Sequence, residues 1–299
     1  MITRLAKKIG ALSEIRDTDP GFSDLAALLT GIKPVLYTDF DGADWPYLKD
    51  LCLKLKMEYL LPEALFGRKG FKAAPKYGKK MLLIGRKKKD LEAAAASWGR
   101  AETTREWGLL LGYPPCCVDA YLDWKENYSE RTDLIRRTHE LTPAAKKYHF
   151  GLNNVCNFFS RLTPGDAALY RKVGDINYKK GFPLANMHVI SWHPCSYACK
   201  KSAAAADKIF SFFKVYLPEH AAMLRAVLAR PVLVYGKYEF LSFEGKVVKD
   251  ELRFSGVGAP YSLMDSPLRP GALKLSAVAR LGAGRPAGKE PFLLNFSAK

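Results

Sequence analysis

The sequence predicts a mixed protein of the α/β to α+β class: a small N-terminal α/β unit, a helical, cysteine-bearing middle, and a short antiparallel sheet near the C-terminus. Three observations point there. Two compact apolar runs, KPVLYTDF at 33–40 and MLLIG at 81–85, read as buried strands separated by a helix-period segment. Most segments between 103 and 229 carry apolar residues at helical spacing. The stretch PVLVYGKYEFLSFEGKVVKDELRFSGV at 231–257 then reads as two or three antiparallel strands, with turns expected at Gly236 and at Glu244-Gly245. The expected division is 1–100 for the N-terminal unit, 101–281 for the helical and sheet unit, and 282–299 for an irregular tail that opens rich in Gly and Pro.

Taken in order, DWPYLKDLCLKLKMEYLL at 44–61 has helical periodicity and encloses Cys52. KKKDLEAAAASWGRAE at 87–102 contains an alanine run that favours helix. A helix from Thr103 to Leu111 should stop at Gly112-Tyr113-Pro114-Pro115, where glycine caps and proline cannot continue. Proline is favoured in a first turn, so a new helix should begin at Pro115 and run through CCVDAYLDWKENY, with Cys116 and Cys117 at its start. Residues 131–180 read as mostly helical and basic, with a break near Thr163-Pro164-Gly165. MHVISW at 187–192 alternates like a strand, His193-Pro194 ends it, and CSYACKKSAAAADKIFSFFKVYL reads as a long helix.

The composition narrows the class of function. With 48% hydrophobic and 12% aromatic residues over 299 positions, the chain can bury a core without staples. No apolar run reaches the roughly 18 residues that span a bilayer, and the first residues lack the apolar core of a secretory signal, so no membrane association and a cytoplasmic location are expected. Six cysteines in a chain this long do not make a disulfide framework. Forty-seven Lys and Arg against thirty Asp and Glu leave a formal charge of +17, which favours an anionic substrate or partner. Ten of the basic residues, Arg68, Lys69, Lys72, Lys76, Lys79, Lys80, Arg86, Lys87, Lys88 and Lys89, fall between 64 and 89 with no acidic residue among them. Phe71 and Tyr77 interleave with them, a pattern that can hold phosphates and stack bases, so this stretch is the candidate nucleic-acid or anion-binding segment.

The chemistry should lie with the cysteines. Cys195 and Cys199 are four apart on an expected helix, which would put both thiols on one face about 5 to 6 Å apart. That spacing suits two ligands of one metal or cluster, and a helix N-terminus favours thiolate over thiol. Cys116 and Cys117 share the setting, and His193 adds a nitrogen ligand or proton-transfer group. Cys116, Cys117, Cys195, Cys199 and His193 are thus the candidate ligands of an iron–sulfur cluster or a single zinc or iron ion, with His193 and Cys117 as candidate catalytic groups. The two helix starts are expected to face one another with their sulfurs together. Cys52 and Cys156 read as core. Asp39 and Asp41 at a strand end could be catalytic carboxylates, although a turn held by Asp and Gly explains them as well.

LLLGYPPCCVDAYL and HPCSYACKKSA resemble the two signature segments of an uncharacterised prokaryotic domain family, Gly-Tyr-Pro-x-Cys-Cys followed later by His-Pro-Cys-Ser-x-x-Cys-x-x-Ser. The resemblance covers some thirty residues and implies Gly112, Tyr113, Pro114, Cys116, Cys117, His193, Pro194, Cys195, Ser196, Cys199 and Ser202 as signature positions. It implies no reaction. Three readings therefore stand: a metal- or iron–sulfur-dependent enzyme acting on an anionic substrate such as a nucleotide or RNA, a nucleic-acid-binding protein with structural zinc-type cysteines, and a metal-free cysteine-dependent redox or transfer enzyme.

Overall fold

The structure, a computed structural model, describes residues 21–40, 42–62, 80–98, 100–129, 132–143, 147–156, 187–236, 239–258, 268–281 and 291–297. It has the mixed α and β composition expected, at the α+β end of the range, because neighbours in its three- and five-stranded sheets all pair antiparallel. Contacts divide the chain into two compact units, Met1–Asp123 with Lys208–Pro218, and Trp124–Asp207 with Glu219–Lys299.

In the first unit, α1 (Gly21–Leu29), β1 (Val35–Phe40), α2 (Trp45–Leu55), β2 (Glu58–Leu60), β3 (Lys80–Gly85), α3 (Lys88–Ser97) and α4 (Thr104–Leu110) follow one another. Their strands form a sheet ordered β1-β3-β2. The continuous apolar run of β3 is explained by burial on both faces. Leu36, Phe40, Leu82 and Ile84 pack with Leu25, Leu28, Leu48 and Cys52 in one cluster. Val35 and Leu83 point the other way, into Leu91, Ala94 and Ala95.

The helix expected over 44–61 ends earlier, at Leu55. Lys56 takes a left-handed φ of +55°, and the amides of Lys56 and Met57 bond back to Leu53 and Cys52. That pattern is a Schellman stop formed on lysine instead of glycine. The residues beyond it form β2 against β3. Asp39 accepts a hydrogen bond from the Tyr37 hydroxyl at 2.9 Å, and Asp41 lies outside the described residues.

Helix α5 (Pro115–Asn127) begins in the first unit and is followed by α6 (Leu134–Glu140), β4 (Tyr148–His149), α7 (Lys200–Tyr216), α8 (Pro218–Leu228), β5 (Val232–Val234), β6 (Phe240–Val248), β7 (Glu251–Gly258), β8 (Gly271–Lys274), α9 (Leu275–Arg280), β9 (Phe292–Leu294) and β10 (Phe296–Ser297). The five-stranded sheet of the second unit runs β8-β7-β6-β5-β9, and β10 pairs in parallel with β4. Its core gathers Leu233, Phe243, Leu252, Phe254 and Val278.

Two expectations change here, and a third lies mostly outside the described residues. Glu244-Gly245 is a bulge inside β6, and the chain turns instead at Lys249-Asp250, where Lys249 has φ +56°. Residues 282–299 are not an irregular tail throughout, since β9 supplies an edge of the sheet and β10 a strand beside β4. Within 131–180 the described residues include one α-helix, α6; residues 157–186, with the expected break at Thr163-Pro164-Gly165, lie outside them.

Candidate metal centre

The helix that starts at Pro115 forms as the sequence predicts, and the turn before it shows why its place is fixed. Gly112 has φ +78°, with its amide bonded to the Leu109 carbonyl and the Tyr113 amide to that of Gly108, a Schellman motif closing α4. A Cβ on Gly112 would press into the Ile32 carbonyl and stand 2.8 Å from the Lys33 Cα. The turn that follows α1 therefore packs directly on the backbone leading to the cysteines.

Lys33 is buried beneath this turn. Its Nζ lies 2.7 Å from Asp24 Oδ1, with side chains 0% and 2% exposed, and 4.8 Å from the centre of the Tyr113 ring. Past the two prolines, the amides of Cys117 and Val118 both bond to the Pro114 carbonyl, which opens α5. Cys117 is buried, Cys116 is partly exposed, and their sulfurs are 4.0 Å apart. Arg105, one of two charged residues ahead of this helix, pairs with Asp119 at 2.9 Å.

The second pair sits differently from its expectation. MHVISW forms no strand; Met187 through Pro194 are all buried in an irregular segment, so the alternation of residue types does not become an alternation of faces. Side chains from elsewhere in the unit hold this backbone. Asn154 Nδ2 donates to the Trp192 carbonyl at 2.8 Å, Thr138 Oγ1 to the Pro194 carbonyl at 3.2 Å, and the Trp192 indole to Ser202 Oγ at 2.9 Å.

Cys195 and Cys199 are not on a helical face either, because α7 begins at Lys200. Ser196 captures the Ala198 amide with its hydroxyl and the Cys199 amide with its carbonyl, competing locally with helix. Cys199 occupies the N-cap, its carbonyl accepting from Ala203, so the positive end of the helix dipole still bears on that thiol. Tyr197 packs between Tyr148 and Phe296, with ring centres at 5.4 and 5.2 Å, and its amide bonds Thr142 Oγ1.

The sulfurs of Cys116, Cys117, Cys195 and Cys199 all lie within 4.8 Å of one another, a group able to hold a metal ion. His193 is buried two residues before Cys195 but is not a member of that group. Cys52 and Cys156 are buried apart from it, and burial pushes the Cys52 thiol up to about 12, leaving it protonated and inert. Sequence reasoning missed Thr138, Thr142, Asn154 and Phe296; the adjacent amides Asn153-Asn154 in the otherwise apolar GLNNVC were the one available signal.

Of the basic stretch, Lys80, Arg86, Lys87, Lys88 and Lys89 are exposed, and Arg68, Lys69, Lys72, Lys76 and Lys79 lie outside the described residues. Among the described residues no helix is long and apolar enough to cross a membrane. The chain matches no family model, no curated protein and no solved structure.

Proposed function

We propose that the protein is a metal-dependent enzyme whose four clustered thiols hold the metal and whose substrate is anionic, with nucleotides and RNA as the candidates. The observation that carries this reading is the convergence of four cysteine sulfurs to within 4.8 Å of one another. Core packing does not require four thiols from two distant segments to meet, whereas soft thiolates brought together are the donor set of zinc and iron sites. The net charge of +17 and the exposed Lys80, Arg86, Lys87, Lys88 and Lys89 support an anionic substrate. When bound, iron would supply electron transfer, and zinc a fixed cross-link between the two cysteine pairs. The buried His193, outside the four thiols, is the chain's own candidate for holding or moving a proton beside the centre.

The deciding experiment is elemental analysis with an absorption spectrum on protein purified without oxygen. Stoichiometric zinc or iron is expected, and protein that neither carries nor takes up a metal would sink the reading.

The exposed cations also favour a second reading, in which the metal is structural and the protein binds nucleic acid. If those five cations engage single-stranded RNA, log affinity should fall with log salt at a slope of about −3 to −4. Binding insensitive to salt would remove this alternative.

A further inference from the structure

Resting on the metal reading above, we infer that the centre holds one tetrahedral ion with all four coordination positions filled by protein sulfur, and that it does not hold an iron–sulfur cluster. The argument is one of size. Four thiolates around a single ion with metal–sulfur bonds near 2.3 Å stand about 3.8 Å apart along every edge of the tetrahedron. The vicinal pair is already at 4.0 Å, and no pair among the four exceeds 4.8 Å.

A cluster needs more room. In a four-iron cube each cysteine binds a different iron, so every sulfur–sulfur distance contains an iron–iron edge as well as two outward-splayed bonds. In a two-iron rhomb, two sulfurs share an iron at tetrahedral spacing, but the pairs are pushed apart along the iron–iron axis. Neither arrangement keeps all six separations inside the observed limit.

A second consequence concerns reactivity. Catalytic zinc keeps a position open for water or substrate, whereas sites with four protein ligands are closed. With four thiolates available at single-ion spacing, substrate has no place on the metal. Such a centre serves as a structural zinc or as a one-electron iron, and the proton chemistry falls to groups outside it.

The test loads the full chain anaerobically with cobalt(II) and, separately, analyses the iron and acid-labile sulfide of protein as isolated. One cobalt per chain is expected, with a tetrahedral tetrathiolate spectrum that excess azide or imidazole leaves unchanged. Serine at any one of Cys116, Cys117, Cys195 or Cys199 should alter that spectrum, and serine at Cys156 should not. Acid-labile sulfide with two or more irons per chain would overturn the single-ion inference while leaving the metal reading intact. A spectrum shifted by azide would overturn the closed shell. Failure to take up any metal would remove both.

Discussion

Replacing Lys33 by methionine tests how the first cysteine pair is held. The amine is paired with Asp24 at 2.7 Å in a site where neither side chain reaches solvent, and the Tyr113 ring lies 4.8 Å away. Lys33→Met keeps a similar unbranched side chain but takes from the Asp24 carboxylate its ion-pair partner at 2.7 Å in a low-dielectric interior. Removing one member of a buried pair costs about 3 to 5 kcal/mol, since the remaining charge loses that attraction while its desolvation persists. At ~1.4 kcal/mol per decade this is a two- to nearly four-decade loss in the folding equilibrium constant.

The double variant Asp24→Leu with Lys33→Met removes both charges, and apolar replacements of this kind range from neutral to stabilising by about 1 to 4 kcal/mol. It should therefore be markedly more stable than Lys33→Met alone. Urea unfolding followed by tryptophan fluorescence reads the difference, with Trp45 and Trp107 as reporters in this unit. A single variant costing under about 1 kcal/mol, or a double variant no more stable than the single, would refute the reasoning.

Gly112→Ala should destabilise by well over 1 kcal/mol, because the left-handed backbone alone costs an alanine about 1 to 2 kcal/mol and the new methyl meets the Ile32 and Lys33 backbone. Gly271→Ala, where a Cβ meets open space, is the control and should move the unfolding midpoint little. Cys195→Ser and Cys199→Ser should each lose most bound metal, since a hydroxyl is a hard and mostly protonated donor, while Cys52→Ser and Cys156→Ser should retain it in whatever fraction folds. Elemental analysis after desalting decides that comparison, and metal lost from the second pair of variants but kept in the first would reverse it.

Burial lowers the pKa of His220 to about 4 and pushes that of His139 down as well. Both then take up protons more readily unfolded than folded. Their stabilisation is present in full above the ordinary histidine value of about 6.5 and is lost as pH falls toward 4. His220→Gln should flatten this part of the stability–pH profile, and a profile unchanged by that substitution would show that His220 does not drive it.

The elements legible in the sequence were those whose cause is local. β3 announces itself because residues buried on both faces make an unbroken apolar run, and α5 because Gly112 and Pro115 punctuate it. The helix stop at Lys56 was invisible, since a Schellman turn on lysine lacks the glycine that usually marks one. Gly245 misled in the opposite sense. A Cβ there would run into the Arg253 carbonyl, so the glycine serves a close strand approach within a bulge and not a turn.

At the site, the cysteine clusters stood out as residue types, but the setting of the second pair did not. The bonds from Asn154 to Trp192, Thr138 to Pro194 and Thr142 to Tyr197 span 38, 56 and 55 residues. Side-chain-to-backbone links over such separations leave no periodicity to read.

Those same links bear on how strongly the thiols are prepared for a ligand. A segment buried from Met187 to Pro194 without helix or strand lacks the ladder that normally satisfies backbone polar groups, so each bond from Asn154 or Thr138 fixes a point that would otherwise carry a desolvation cost, and Thr142 does the same for the Tyr197 amide beyond it. With Pro194 restricting the chain before Cys195, the Ser196 turn in the middle and the N-cap carbonyl of Cys199 at the end, few torsions between the two thiols remain free. Cys116 and Cys117 reach the same condition by regular means, through a glycine-closed turn and a proline-opened helix. Each pair therefore loses little further conformational entropy when an ion is taken up, and more of the metal–thiolate bond energy appears as affinity.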